Sequence, residues 1–185
     1  MLRGQVLRRQ KQVKRPVSDV FAAQAMQCIP RLRRYARALT GDASAADDLV
    51  QDVLERALVK QSLWREGTDL RAWLFTVMHN VFVNQVRSAA ASRTVPMDDA
   101  VADLPQPQST DRLEIRDLDA ALQALPEEQR AVLLLVGLEQ MTYDEAARVL
   151  EVPIGTVMSR LSRGRERLRR LMQGLPDAAP LKAVK

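Results

Sequence analysis

The stretch MTYDEAARVLEVPIGTVMSRLSRGRERLRRL, from Met141 to Leu171, decides the fold of the second half of this chain. It predicts two short helices joined by a tight turn. Thr142 and Glu145 have the spacing of a capping box, which satisfies the free amide donors where the first helix begins. Pro153 suits the start of the second helix, where its missing N–H costs nothing. The sequence therefore predicts a helix-turn-helix.

The second of these helices has one apolar side and several basic faces. Apolar residues recur at helical spacing, at Ile154, Val157, Leu161, Leu168 and Leu171. The other faces carry hydroxyls and arginines: Ser159, Arg160, Ser162, Arg163, Arg165, Arg167, Arg169 and Arg170. Arginine reaches guanine edges and phosphates in the DNA major groove, so this is a candidate recognition helix. The alternative interpretation is a solvated basic helix within a bundle.

The composition favours an all-α protein that has an anionic partner. A chain of 185 residues holds one ordinary domain or two small ones, and only 4% of it is aromatic, which favours aliphatic helix packing. The net charge of +5 points to an anionic partner. Cys28 is the single cysteine, which excludes an internal disulfide and fits a reducing cytosol. No apolar run reaches the length of about 18 residues that a membrane span needs.

The first half of the chain predicts a helical bundle. Helical periodicity runs from Phe21 to Leu39, and Pro30 is expected to kink or divide this element. After a turn, Ser44 and Asp47 have capping-box spacing for a second helix. The buried stripe of that helix is predicted to be Leu49, Val50, Val53, Leu54, Ala57 and Leu58. Asp47 and Asp48 would lie in its first turn, where the helix dipole favours negative charge.

A longer helix, from Leu70 to about Ser88, carries two stripes. Its apolar face is predicted to be Leu70, Trp73, Leu74, Val77 and Val81. A separate and mostly polar stripe is formed by Thr76, Asn80, Val83 and Arg87. This stripe adjoins the loop that holds Trp64, and an exposed aromatic beside amide and guanidinium groups can stack on an unpaired base. Trp73 is interpreted as a core residue, whereas for Trp64 both interpretations stay open.

The two halves are separated by an acidic, proline-containing segment that we interpret as a flexible linker. Periodicity resumes at Leu113, and Pro126 starts another helix whose first turn holds Glu127 and Glu128. The first 16 residues, MLRGQVLRRQKQVKRP, contain six basic side chains and no acidic one. This arm lacks the apolar core of a secretory signal, and either contacts nucleic acid or is a solvated tail.

Several motifs together resemble a bacterial sigma factor of the extracytoplasmic-function (ECF) group. They are DDLVQDVLERAL at 47–58, LRAWLFTVMHN at 70–80, LPEEQRAVLLL at 125–135 and the helix-turn-helix. The resemblance covers Phe21 to Leu171, and the first half resembles members that govern the general stress response in alphaproteobacteria. It implies an all-α chain of two helical domains: sigma region 2 at 19–91 and sigma region 4 at 113–173. A flexible linker at 92–112 would join them, with a disordered basic arm at 1–18 and a tail at 174–185.

The resemblance also implies partners and site residues. Core RNA polymerase would be bound through its clamp helices by Asp47, Asp48, Gln51 and Asp52. The melted promoter −10 strand would be captured by Trp64, Arg65, Thr76, Asn80, Asn84 and Arg87. The −35 element would be read by Ser159, Ser162 and Arg163, with phosphate contacts from Thr156 and Arg160. Such a subunit acts in the cytoplasm without catalytic residues, metal or cofactor, and an anti-sigma protein is an expected partner.

Two positions depart from the pattern of this family. Met158 stands where the family usually has lysine or arginine, which removes a DNA contact and shifts the expected −35 preference. Glu151 stands at a turn position where glycine is common. If that position needs a positive φ, a non-glycine residue costs about 1 kcal/mol there.

Two other classes of function are weighed against the sigma factor. An ordinary transcriptional regulator would carry a ligand-binding or partner-binding first module, but the Asp-rich helix and the Asn80 stripe argue against it. A small enzyme is disfavoured because His79 is the only histidine and Cys28 the only cysteine. Neither belongs to a cluster with ligand or triad spacing. His79 is interpreted as a surface helix residue.

Overall fold

The regular structure is helical throughout the parts of the chain that the computed structural model describes, residues 19–65, 67–92 and 110–175. The helices in those ranges are α1 (Asp19–Thr40), α2 (Ala43–Val59), α3 (Leu70–Ser92), α4 (Thr110–Gln123), α5 (Glu127–Leu133), α6 (Tyr143–Leu150) and α7 (Ile154–Met172). A 3₁₀ turn spans Gln61–Leu63, and a π-helical turn spans Leu134–Leu138. The predicted all-α class is confirmed. The predicted basic arm, most of the linker and most of the tail lie outside the described residues.

Helix α1 is one continuous helix although Pro30 lies inside it. The prediction that Pro30 divides this element is wrong. Pro30 itself is exposed, while apolar residues on both sides of it, such as Phe21 and Leu32, are buried in the same core. Burial of a large apolar side chain contributes about 1.5–3 kcal/mol. Several such side chains outweigh the cost of about 3 kcal/mol for a proline inside a helix.

The start of α2 differs from the predicted capping box. Asp42 caps the helix, because its side chain accepts a hydrogen bond of 2.7 Å from the N–H of Ala45. Ser44 lies inside the first turn of α2 and Asp47 and Asp48 follow that turn, so the predicted box and the predicted place of these two aspartates in the first turn are wrong. Gly41 makes the preceding turn with a φ of 74°, and a Cβ there would lie 2.7 Å from the side chain of Gln123. The positive φ favours glycine at this position, and a Cβ would also force the Gln123 side chain to shift.

Helix α3 is buried on more sides than its sequence predicts. Leu70, Leu74 and Val81 are buried as expected, and Trp73 and Val77 are half-buried. Phe75, Met78 and Phe82 are buried as well. The reason is that α3 contacts α1 and α2 on one side and α6 of the second module on another.

The second module contains the predicted helix-turn-helix, formed by α6 and α7. The predicted capping box is present: Glu145 N–H donates to Thr142 Oγ1 at 3.2 Å, and Thr142 N–H donates to Glu145 Oε2 at 2.8 Å. Val157 and Leu161 are buried on the inner side of α7. Glu151 ends α6 with a φ of 53°, so the turn does need the left-handed conformation.

The two modules pack against each other and share one apolar core. Arg34 of α1 pairs with the buried carboxylate of Glu139 at 2.7 Å. Arg71 of α3 donates to the backbone carbonyl of Glu139 at 3.1 Å and lies 3.9 Å from the carboxylate of Glu145. Gln123 Nε2 donates to the carbonyl of Ala38 at 3.0 Å. Polar groups of α1 and α3 thus hold the segment that precedes α6.

Candidate polymerase and nucleic-acid interfaces

One face of α2 is acidic and exposed, opposite the side that packs in the core. The buried residues of α2 are Ala46, Leu49, Val50, Val53 and Ala57. Spacing of 3.6 residues per turn therefore places the four predicted polymerase-contact residues together on the outer face: Asp47, Asp48, Gln51 and Asp52. Leu58, which was predicted to be buried, is 44% exposed at the end of this helix. That prediction is wrong because the bundle ends before it.

The side chains of the acidic face form a few ion pairs and hydrogen bonds with exposed neighbours. Asp47 Oδ1 lies 3.3 Å from Nε of Arg33, in a pair whose side chains are both largely exposed. Asp52 accepts a hydrogen bond of 2.9 Å from Gln85 of α3. Gln51 donates to Glu55 at 3.0 Å. Exposed pairs of this kind contribute little to stability, so the carboxylates remain available to a basic partner.

The polar stripe on α3 is present and partly exposed. Of its residues, Asn80 and Arg87 are exposed, whereas Val83 and Thr76 are half-buried, and Thr76 donates its hydroxyl to the carbonyl of Ala72 at 3.1 Å. Asn84, the further residue predicted to contact the −10 strand, is exposed beside them. Positions i, i+4, i+8 and i+11 fall on one side of a helix. Arg87 is also close enough to Glu127 of α5 to lower the pKa of that carboxyl, although burial, the larger effect, raises it.

Trp64 is held against the bundle and is not a freely exposed aromatic. Its ring packs edge-on against buried Phe21, with centroids 5.7 Å apart, and Trp73 packs on the same ring at 6.1 Å. Its Nε1 is buried and has no hydrogen-bond partner among the described residues. Arg65, the next residue, is exposed. Of the two interpretations left open for Trp64, the structure favours a residue packed against the core, because Phe21 covers part of the indole.

Sequence reasoning missed the position of Trp73 relative to the polar stripe. Trp73 lies seven residues before Asn80, which is close to two helical turns, so both residues are on one side of α3. It is half-buried and packs against the core, as its interpretation as a core residue requires. Its spacing from Asn80 was the signal that could have revealed this arrangement.

Helix α7 presents the predicted −35 residues on its outer side. Ser159, Ser162 and Arg163 are exposed, and Thr156 is half-buried. The guanidinium of Arg163 folds back on its own helix, where Nε donates to the carbonyl of Ser159 at 3.2 Å. The Ser159 hydroxyl donates to the carbonyl of Thr156 at 3.0 Å. These donors are therefore placed side by side on the surface.

Arg160 differs from the other predicted DNA contacts. Its side chain is only 21% exposed and forms an ion pair of 2.6 Å with Glu128 of α5. Its charge also lies close enough to lower the pKa of His79 on α3, where burial has the larger lowering effect. His79 is half-buried beside the second module, so the interpretation as a surface residue is wrong. A phosphate contact from Arg160 would require its release from Glu128.

The three sets of predicted residues thus occupy three separate surfaces on α2, α3 and α7. Within the described ranges, no group of three or more potential ligands is placed to hold a metal ion. None of the helices in those ranges combines the length and apolarity that crossing a bilayer requires. Cys28 is a half-buried free thiol whose pKa is raised, chiefly by burial.

Comparison with known proteins gives both modules a family. Residues 25–79 match the family described as the Sigma2 domain of PhyR, and residues 115–168 match Sigma-70, region 4. The chain is 37% identical over 172 residues to the ECF RNA polymerase sigma factor EcfG of Rhodopseudomonas palustris (strain TIE-1), covering 89% of this chain and 93% of that protein. It belongs to the ECF family of RNA polymerase sigma factors. Members of that family are specificity subunits for transcription.

Two solved structures share this fold. The sigma factor RpoE of Bartonella quintana, solved in complex with the anti-sigma factor NepR, superimposes with a TM-score of 0.71 at 34% identity, over 84% of this chain and 98% of that one. CnrH, solved in complex with the cytosolic domain of CnrY, gives a TM-score of 0.60 at 26% identity, over 84% and 96%. Both neighbours are complexes with a second protein.

Proposed function

We propose that this ECF sigma factor binds core RNA polymerase through the acidic face of α2 and directs promoter-specific initiation. The chain itself supplies no catalytic group and acts with polymerase in the cytoplasm. The observation that carries the proposal is the display of three chemically different surfaces on one chain: acidic on α2, polar on α3 and basic on α7.

Each surface fits one step of initiation. Exposed Asp48 and its neighbours on α2 suit a basic docking helix on the polymerase. Asn80 and Arg87 on α3, near Trp64, offer hydrogen-bond donors and an aromatic edge to an unpaired base. Ser159, Ser162 and Arg163 on α7 would read the −35 element in the major groove. We therefore propose that the first module is region 2 and the second is region 4.

We infer that a partner protein controls this sigma factor in a stress response. The support is the likeness to RpoE bound to NepR and to CnrH bound to the cytosolic domain of CnrY. The molecule also exposes large apolar side chains at the end of α2, including Val59 at 79% and Leu63 at 69%. Exposed apolar surface of this kind is commonly covered by a protein partner.

The test is reconstitution with purified bacterial core polymerase. The wild-type chain should co-elute with core enzyme in gel filtration and should direct transcription from a subset of a promoter library. Asp48→Lys should weaken core binding at least about tenfold, because it places a cation where the partner is basic. Asp117→Lys, at an exposed position of α4, makes the same charge change elsewhere and should bind as the wild type does.

Failure of the wild-type chain to join core enzyme would favour the ordinary transcriptional regulator. Wild-type affinity in the Asp48→Lys variant would remove Asp48 from the interface. Circular dichroism of both variants checks that the helical fold is unchanged.

A further inference from the structure

The first two turns of α7 carry an apolar surface that the core does not use. Ile154 is 43% exposed and Met158 is 51% exposed. They are four residues apart, so they are neighbours on one side of the helix. Val157 and Leu161, which lie between and beyond them, make the buried contacts instead. The sequence predicts Ile154 on the buried face of α7, and its exposure contradicts that prediction.

Gly155 leaves open space beside this apolar pair. A Cβ built on Gly155 would meet nothing within 4 Å among the described residues, and its φ is not in the left-handed region. Neither packing nor backbone conformation requires glycine at this second residue of α7. Gly155 is four residues before Ser159 and seven before Ser162, so this open space is on the same side of the helix as these exposed hydroxyls.

Gly164, on the same helix, differs from Gly155 because close packing requires a glycine there. A Cβ at Gly164 would lie 3.0 Å from Leu133 and 3.3 Å from Gln129, both on α5. Gly164 is buried and allows α5 and α7 to approach each other. Gly155 has no comparable neighbour among the residues that the structure describes, so its clearance is available to a bound molecule.

The N-terminal residues of a recognition helix are those that contact base edges in the major groove. On those edges the 5-methyl group of thymine is the apolar feature, and apolar side chains recognise it by contact. Methionine suits such a contact because its unbranched thioether adapts to the shape it meets. A glycine next to it permits close approach of the backbone.

We propose that Met158 and Ile154 read thymine methyl groups in the −35 element, with Gly155 supplying the clearance for the duplex. This inference rests on the proposed function, since it requires that α7 reads DNA. It also gives a role to the departure at Met158, where lysine or arginine is usual. The charged contact is replaced by an apolar one, and the preferred base changes to thymine.

The test removes a single methyl group from the DNA. Holoenzyme made from this chain and core polymerase is bound to a promoter recovered from the library, and each −35 thymine is replaced in turn by uracil. Loss of one buried methyl group should weaken binding about fourfold at the contacted position. The double variant Ile154→Ala/Met158→Ala should bind the thymine and uracil forms of that position equally.

Met172→Ala is the matched control, because Met172 is 45% exposed at the far end of the same helix. This variant should keep the wild-type sensitivity to uracil. Gly155→Ala separates a structural role from a binding role. It should match or exceed the wild-type melting temperature, since nothing crowds the new methyl group, yet bind the −35 promoter at least about threefold more weakly.

Two failures are distinguishable. If the holoenzyme ignores the −35 sequence altogether, the proposed function of α7 fails and this inference fails with it. If the holoenzyme discriminates among −35 sequences but no thymine responds to uracil, or Ile154→Ala/Met158→Ala retains the response, the inference is overturned while the proposed function stands. Destabilisation by Gly155→Ala would likewise assign that glycine to the fold.

Discussion

Arg34 of α1 and Glu139, the residue after the π-helical turn, form an ion pair of 2.7 Å across the boundary between the two modules. The pair is asymmetric, because Glu139 is 2% exposed whereas the side chain of Arg34 is 53% exposed. Arg71 adds a hydrogen bond to the carbonyl of the same glutamate. The charge that has left water is therefore the carboxylate, and its compensation comes from the opposite module.

Arg34→Ala should destabilise the protein more than Glu139→Gln. Removal of Arg34 leaves a buried carboxylate without its counter-charge, which should lower the free energy of unfolding by about 1–3 kcal/mol. The double variant Arg34→Ala/Glu139→Gln should recover part of that loss, because no buried charge remains. Urea unfolding followed by circular dichroism gives all three values.

Arg33→Ala is the matched control for this pair. Arg33 lies 3.3 Å from Asp47, but both side chains are more than half exposed, so its removal should change the free energy of unfolding by less than about 1 kcal/mol. Equal losses for Arg33→Ala and Arg34→Ala would show that the ion pair between the modules stabilises the fold no more than an exposed pair does.

The capping box of α6 predicts a pH dependence. The N–H of Thr142 is the largest of the causes that lower the pKa of Glu145 in the folded protein. A lowered folded pKa means that the stabilisation is complete above the unfolded value of 4.5 and is lost as the pH falls through the folded value. Glu145→Gln should therefore be less stable than the wild type at pH 7, and the difference should shrink below pH 4. A difference that stays constant from pH 7 to pH 3 would contradict the capping role of the charge.

Gly164→Val should weaken the packing of α7 on α5. A Cβ at this position would already be 3.0 Å from Leu133 Cδ1, and two further methyl groups have no space. Overpacking of this kind costs about 1–3 kcal/mol, which thermal unfolding would register as a lower melting temperature. A wild-type melting temperature would mean that Leu133 moves aside freely. The same substitution at Thr156, half-buried on the same helix, tests whether valine alone is at fault.

Asn80→Ala should impair strand capture more than duplex binding. Asn80 is exposed in the middle of the polar stripe of α3, so its removal should not disturb the core. Binding of holoenzyme to a promoter with a pre-melted −10 region should weaken about tenfold, within the range expected for loss of a specific base contact. Binding to a duplex that holds only the −35 element should not change. Equal losses on both templates would exclude a strand-specific role.

Local signals in the sequence were sufficient for the elements with strong end signals. The capping box of Thr142 and Glu145, the acidic first turn of α5 and the apolar spacing of Val157 and Leu161 all appear as predicted. These features depend on residues three or four apart, so a linear pattern contains them. Asp42, and not Ser44, caps α2, because the positive φ of Gly41 turns the chain so that Asp42 lies just before the helix.

Features that depend on contact between the modules were not predictable. Nothing in the local pattern of Glu139 distinguishes it from the exposed Glu151, and only the approach of Arg34 and Arg71 makes its burial possible. His79 was misplaced for the same reason, since the second module covers it. The predicted site residues were located by resemblance, and their side-chain surroundings, such as the pairing of Arg160 with Glu128, came only from the fold.

The shared core limits the distance along DNA that the surfaces on α3 and α7 can span together. Promoter elements centred about 25 base pairs apart are separated by about 85 Å of B-form DNA. Helix α3, with 23 residues, is only about 35 Å long, and it touches α6, which touches α7. If α3 and α7 bind the two elements as we propose, a chain folded in this way is too short to reach both at once. If both elements are bound together, the two modules must first separate. The free energy of that separation must then be supplied by the contacts with promoter and polymerase.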